Sequence, residues 1–240
     1  MTTYKKIHYI WLGGGKKNKI FYRCYDSWKK FLPDWDIIEW NESNLDISKY
    51  RYVQQAYDRG KYAFAADVLR FDIINKYQGI YFDTDVKIIS SLNSLINAYD
   101  AFTGFENKFF INPGLVLFSK SSNKFCTDML LNYTMNNFYE NGSENLKTIC
   151  EYSTEYFLKY GLKQNSTIET INEMTIFPKE YFCPFDYLMR GEIVPGKTKT
   201  IHHYAGSWLS PSIKFKKMIK KVIIKIFGEN FIEALKKRKR

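Results

Sequence analysis

The chain has 240 residues, 45% of them apolar and 25% charged, which is long enough for one sizeable core, short for two, and unlike a disordered chain. Its four cysteines, Cys24, Cys126, Cys150 and Cys183, form no Cys-x-x-Cys pair. That spacing argues against a zinc site, and a chain this long needs no disulfide framework. The net charge of +11 is uneven: residues 211–240 hold nine lysines and two arginines against two glutamates, +9 together, leaving +2 for the other 210.

Lys6–Leu12 alternates apolar and polar and predicts a first strand, stopped by Gly13-Gly14-Gly15. Residues 18–31 place Ile20, Phe21, Cys24, Tyr25, Trp28 and Phe31 at helical spacing, and Trp35–Trp40 reads as a second strand after Pro33. This β-α-β opening implies parallel strands with a right-handed crossover. Residues 48–59 and 61–77 predict helices, with Gly79 as the stop of the second. Ile80-Tyr81-Phe82 is a short buried strand, and Val86–Ile89 continues extended. Further strands are expected at 100–105 and 114–118, and helices at 122–138 and 144–160. An extended stretch follows at 174–185 and a last strand at Thr198–Tyr204. From Pro211 a basic amphipathic helix is predicted, so the expected organisation is one α/β domain over 1–209 and a helical tail over 210–240.

Asp83-x-Asp85 falls at the carboxyl end of a strand, the edge of an open α/β sheet where ligands bind. Two carboxylates at a strand-to-loop bend can converge on a hard cation, Mn²⁺ or Mg²⁺, that neutralises charge on a departing diphosphate. Upstream, Asp67 and Arg70 stand three apart on one helical face. Each signal alone has a bland alternative, an exposed acidic turn and a surface ion pair respectively.

Together they are far more specific. Ala65-Ala66-Asp67-Val68-Leu69-Arg70 followed by Lys76-Tyr77-Gln78-Gly79-Ile80-Tyr81-Phe82-Asp83-Thr84-Asp85 resembles the core of glycosyltransferase family 32, the DXD sugar transferases. That family has Ser where this chain has Ala66 and Gly where it has Gln78, and neither position carries charge or binds metal. Ile7-His8-Tyr9-Ile10-Trp11-Leu12-Gly13, then Ser27-Trp28, resembles the family's opening, an arrangement shared with the large clostridial glucosylating toxins. His202-His203-Tyr204-Ala205-Gly206-Ser207-Trp208 is similar to its closing segment.

The resemblance implies a GT-A type nucleotide-sugar-binding fold, a single Rossmann-like domain with a mainly parallel sheet. It also implies retention at the anomeric carbon. By the same resemblance Trp11 stacks on the base, with Ile10, Asp83, Ser207 and Trp208 on the nucleotide and donor. Asp67, Arg70 and Asn112 meet the transferred sugar. Asp83 and Asp85 hold the metal, completed by one of His202 and His203, since adjacent strand residues point to opposite faces. Expected partners are a nucleotide-sugar donor, UDP-linked by preference, and a glycan or lipid-linked acceptor, as in capsular polysaccharide synthesis. The acceptor pocket is expected within 121–197.

In the tail, Phe215, Met218, Ile219, Val222, Ile223, Ile226 and Phe227 make an apolar stripe opposite lysines. That suits either packing on the domain or an anionic membrane surface. No nucleic-acid-reading motif accompanies the charge. With no signal-like segment at the start and no apolar run near the ~20 residues that cross a bilayer, the expectation is a cytoplasmic protein, peripheral at most on the inner membrane face. Two rivals are a haloacid-dehalogenase-like phosphatase built on Asp83-x-Asp85-Val86 and an inactive membrane adaptor on a transferase fold. The first lacks a later acidic pair, with only Asp100, Asp128 and Asp186 following; the second is opposed by the intact Asp67, Arg70, Asp83 and Asp85.

Overall fold

In the computed structural model, which describes residues 4–206, Lys6–Ile10 forms strand β1 and Lys19–Phe31 forms helix α1. Asn18 caps that helix, accepting the amides of Ile20 and Phe21 at 2.9 Å. Strand β2 (Asp36–Trp40) then lies parallel to β1, with Lys6 opposite Asp36 and Ile10 opposite Trp40, as the β-α-β pattern requires. A short 3-10 turn at Ile47–Lys49 precedes helix α2 (Arg51–Asp58), so the single helix expected over 48–59 is broken at Tyr50, whose backbone is extended.

Helix α3 (Tyr62–Tyr77) runs where expected. Its interior is apolar on nearly all sides, and Ala65, Val68, Leu69, Phe71, Ile73 and Ile74 are all buried. Such a helix belongs at the centre of a core. It leads into β3 (Gly79–Tyr81), which pairs parallel to β1. Next come β4 (Val86–Ile88), an unanticipated short helix α4 (Asn93–Ala98), β5 (Ala101–Gly104) and β6 (Leu117–Ser119). The strand expected at 114–118 starts later because residues 112–115 form a turn, closed by the Leu115 amide on the Asn112 carbonyl.

Helix α5 (Lys124–Thr134) starts at its Asn123 cap and stops short of 138. A two-residue-per-strand hairpin follows, β7 (Tyr139–Glu140) with β8 (Ser143–Glu144). Helix α6 therefore begins only at Ile149, set by a Thr148–Glu151 capping box, and ends at Lys159. Strands β9 (Glu169–Ile171) and β10 (Met174–Phe177), helix α7 (Lys179–Phe182) and β11 (Thr200–His202) complete the described chain. Ser207, Trp208 and the predicted tail helix lie outside the described residues. The chain divides into two units, Met1–Tyr204 and Ala205–Arg240.

The central sheet has the order β2-β1-β3-β6-β5-β10-β9. Only β6 and β9 run against the other five, so the sheet is mixed but mostly parallel in direction, the α/β architecture expected. The two faces bury two separate cores. Ile7, Tyr9, Ile80, Phe82, Phe102 and Phe118 join Phe21 and Trp28 of α1 on one side. Ile10, Tyr81 and Leu117 join α2, α3 and α5 on the other. This follows from strand alternation, which sends neighbouring side chains to opposite faces.

The α3–β3 corner is tight. Gln78 caps the helix at φ 54°, ψ 179°, a conformation favouring glycine, and Gly79 follows at φ 106° with the Lys6 carbonyl 2.4 Å from where a Cβ would stand. Gln78 occupies the position at which the resembled family has glycine, so that departure carries backbone strain. Gln78→Gly is expected to raise the melting temperature slightly, by about 1–2 °C, since about 1 kcal/mol of released strain is partly offset by the added unfolded-state entropy. Gly79→Ala should lower it sharply. A lower melting temperature for Gln78→Gly would contradict this account of the corner.

His8 of β1 is fully buried, its Nε2 at 2.7 Å from the Gln78 carbonyl and its Nδ1 accepting the Trp40 indole N–H at 3.0 Å. Those partners require a neutral ring with its proton on Nε2. Burial lowers its pKa from 6.5 to about 4. A depressed folded pKa favours folding fully above the unfolded value, and that contribution is lost as pH falls from 6.5 toward 4. The loss amounts to roughly 3 kcal/mol. Urea unfolding at pH 7.5 and 4.5 should therefore show a larger acid destabilisation for the native protein than for His8→Asn. Equal pH dependence in the two would contradict it.

Candidate active site

Strand β3 delivers Asp83 to the carboxyl edge of the sheet, where the Asp83 amide donates to the Gly114 carbonyl at 2.8 Å. Helix α3 delivers Arg70 to the same place. Its Nη2 donates to Asp67 Oδ1 at 2.6 Å, and its Nη1 lies 3.3 Å from Asp83 Oδ1. Nη1 makes that ion contact without an aligned hydrogen bond, so it is a buried N–H with no acceptor. The Tyr81 ring lies under the guanidinium at 4.8 Å, and its hydroxyl donates to Asp83 Oδ1 at 3.0 Å.

This is no surface ion pair: Arg70 is 3% and Asp67 9% exposed. Burial pushes the Asp67 carboxyl up to about 7, Arg70 pulls it back, and the neighbouring Asp83 charge adds to the rise. Gly114 is the residue that lets these groups meet. A Cβ there would stand 2.1 Å from Asp83 Oδ2 and 2.6 Å from Arg70 Nη1. Asn112 holds the turn, its Oδ1 accepting the Gly114 amide at 2.7 Å.

Asp85 is reached from another direction. Strand β11 pairs antiparallel to β4 with His202 opposite Val86. That register sets His202 Nε2 3.2 Å from Asp85 Oδ1, while the His203 backbone amide donates to the Asp85 carbonyl at 3.0 Å. Burial pushes the His202 pKa down, but Asp85 and Cys183 together more than offset it and hold it well above 6.5; burial lowers that of His203. Of the two histidines, His202 is thus the one whose ring meets Asp85. Ser27 and Trp28 serve the same strand: Ser27 Oγ accepts the Ile88 amide at 3.0 Å, and the Trp28 indole donates to the Val86 carbonyl at 2.8 Å.

Carboxylates at a strand-to-loop bend suit a hard divalent cation, and the His202 ring lies beside Asp85. Among the described residues no group of three or more His, Cys, Asp and Glu is placed to hold a metal ion. A Mg²⁺- or Mn²⁺-type site that shares its ion with substrate phosphates needs only one or two protein carboxylates, so the residues fit.

At the end of β1, Ile10 is buried and Trp11 half-buried. The Trp11 indole donates to the Gly15 carbonyl at 2.7 Å and has Lys17 Nζ 5.7 Å from its ring. Asp100, Asp128 and Asp186 pair with Lys120, Lys124 and Arg190 respectively, which leaves the phosphatase alternative without its acidic pair. Sequence reasoning missed Tyr81, Gly114's close approach, and Glu106, whose Oε2 accepts the Asn112 amide at 2.7 Å.

Residues 19–102, which include Asp67, Arg70, Asp83 and Asp85, match the family model of the glycosyltransferase sugar-binding region containing the DXD motif. The chain therefore carries, over those residues, a DXD-type glycosyltransferase region, set in a mixed, mostly parallel α/β fold. No curated protein matches it significantly. Among solved structures it is similar to the PaToxG glycosyltransferase, at 15% identity over 65% of this chain and 69% of that one, TM-score 0.48. It is also similar to a glycosyltransferase involved in glycosylation of the major capsid of PBCV-1, at 10% identity over 88% and 98%, TM-score 0.46. Likeness of that extent bears on neither substrate nor mechanism.

Because Arg70 is the buried countercharge of two carboxylates, Arg70→Ala should destabilise the fold by about 3 kcal/mol or more. Chemical denaturation tests this, and a loss under about 1 kcal/mol would show that the guanidinium is not the corner's electrostatic anchor.

Proposed function

We propose that the chain transfers a hexose from a nucleotide-sugar donor to an acceptor hydroxyl, and that it does so with a divalent metal, Mn²⁺ or Mg²⁺. The observation that carries this reading is the unsatisfied Arg70 Nη1, buried between Asp67 and Asp83 at the mouth of the DXD turn. A buried cationic N–H without an acceptor is matched by an oxygen of the donor. The cation, held by Asp85 and Asp83 with His202 beside them, would neutralise charge on the departing diphosphate.

In the overall reaction the bond between the anomeric carbon and the diphosphate oxygen breaks. A bond from that carbon to the acceptor oxygen forms, and the proton of the acceptor hydroxyl ends on the departing diphosphate. Asp67 accepts hydrogen bonds from sugar hydroxyls, Asn112 donates one, and Trp11 with Ile10 receives the base, so that orientation supplies much of the rate. We favour a UDP-linked donor and a retaining outcome, on the resemblance to family 32. The acceptor side is assigned to 121–197, where a cavity of about 390 Å³ is lined by Lys179, Glu180, Pro184, Gly191, Glu192 and Val194. A glycan or lipid-linked acceptor in surface polysaccharide synthesis is the class we favour. The +9 charge of residues 211–240 supports contact with an anionic membrane surface. No helix among the described residues is long and apolar enough to cross a membrane.

Asp85→Asn keeps the shape and removes one charge. It should reduce Mn²⁺-dependent hydrolysis of the nucleotide sugar by about 100-fold or more, with the melting temperature within a few degrees of the native protein. Full activity of Asp85→Asn, or native activity undiminished in EDTA, would sink the metal assignment.

A further inference from the structure

Glu106 leaves β5 at the same sheet edge and is fixed in a tight loop, its amide donating to the Phe110 carbonyl at 2.8 Å. The Asn107 side chain pins that loop by accepting the amides of Phe109 and Phe110. Two neutral donors converge on Glu106 Oε2: Asn112 Nδ2 at 2.7 Å and Cys150 Sγ at 3.7 Å. Among the described residues no lysine or arginine pairs with it. The Tyr204 hydroxyl, 3.1 Å from Cys183 Sγ, is held well above its ordinary pKa by burial first and then by Glu106.

These contacts reach the first acidic position: from Glu106 they run to Asn112 and Gly114, and so to Asp83. At the second, Asp85 meets His202, whose ring centre lies 4.3 Å from that of Tyr204. Asn112 is the member whose chemistry depends most on orientation. The residue is 6% exposed and its side-chain amide is fixed at both ends, Oδ1 by the Gly114 N–H and Nδ2 by Glu106. An amide turned over would set its NH₂ against the Gly114 N–H and undo the turn that receives Asp83.

We propose that Glu106 is a positioning residue for sugar transfer: by accepting one Nδ2 proton of Asn112 it aims the other at a hydroxyl of the hexose being transferred. This rests on the transferase reading above. The role asks for a hydrogen-bond acceptor at Oε2 and not for the negative charge, so glutamine, which keeps an acceptor of the same reach, replaces it and alanine does not.

The test uses the full chain as native protein, Glu106→Ala and Glu106→Gln. Mn²⁺-dependent hydrolysis is measured on a panel of UDP-, GDP- and CDP-linked hexoses, with Mn²⁺-UDP binding by calorimetry and a thermal melt. Glu106→Ala should lower kcat about 10–100-fold while UDP affinity stays within about twofold, and Glu106→Gln should recover most of kcat. Native kcat in Glu106→Ala overturns the inference. So does Glu106→Gln as slow as Glu106→Ala, since the charge would then be what the site uses. A parallel fall of kcat, UDP affinity and melting temperature in both variants also overturns it, since Glu106 would then serve only the fold. Native protein that hydrolyses no member of the panel overturns the transferase reading itself, a result distinct from the other three.

Discussion

A guanidinium buried between two carboxylates holds this molecule's site together. Arg70 is 3% exposed, and its charge would be untenable there without Asp67 at 2.6 Å and Asp83 at 3.3 Å. The arrangement ties the centre of α3 to the end of β3, two elements already joined by the strained Gln78-Gly79 corner. Replacing such a group by apolar residues often costs a fold nothing, so its presence points to use. That use is legible in Nη1, an N–H left without an acceptor. Tyr81 and Gly114 follow from the same constraint, one placing its ring 4.8 Å from the guanidinium and the other lacking the side chain that would collide with it.

Asp85 depends on a second constraint, the pairing of β4 with β11. Strand β4 has no place in the central sheet, so it is held from outside: by β11 along one edge and by Ser27 and Trp28 of α1 along the other. The Ser27-Trp28 pair and the histidine pair, though about 175 residues apart, therefore position one short strand. Two carboxylates one residue apart are thus presented by independent supports, Asp83 by the buried core and Asp85 by the β4–β11 ribbon.

Much of this was legible in the sequence where the determinants are local. The β1-α1-β2 opening, α3, β3 and the acidic turn follow from periodicity, Asn18 and the Gln78-Gly79 corner, all within a few residues of what they control. The misses come from longer range or from short breaks. The helix expected at 48–59 yields at Tyr50, and the helices expected at 122–138 and 144–160 are shortened to Lys124–Thr134 and Ile149–Lys159 around the hairpin Tyr139–Glu144. The strand expected at 114–118 slides to Leu117–Ser119 because Gly114 is drawn to Asp83. Which histidine meets Asp85 is a matter of register against β4, and alternation alone leaves it open. Glu106 gave no sequence signal, since its meaning lies in Asn112, Cys150 and Tyr204, which only the fold assembles.

The central claim is that the turn after β3 binds a divalent cation together with a nucleotide diphosphate. Crystals grown with Mn²⁺ and UDP, measured for anomalous scattering from manganese, test it most directly. The account predicts one strong peak within coordination distance, about 2 Å, of an Asp85 carboxylate oxygen, with the diphosphate on its far side. UDP bound with no manganese at Asp85, or manganese bound elsewhere on the chain, would contradict it.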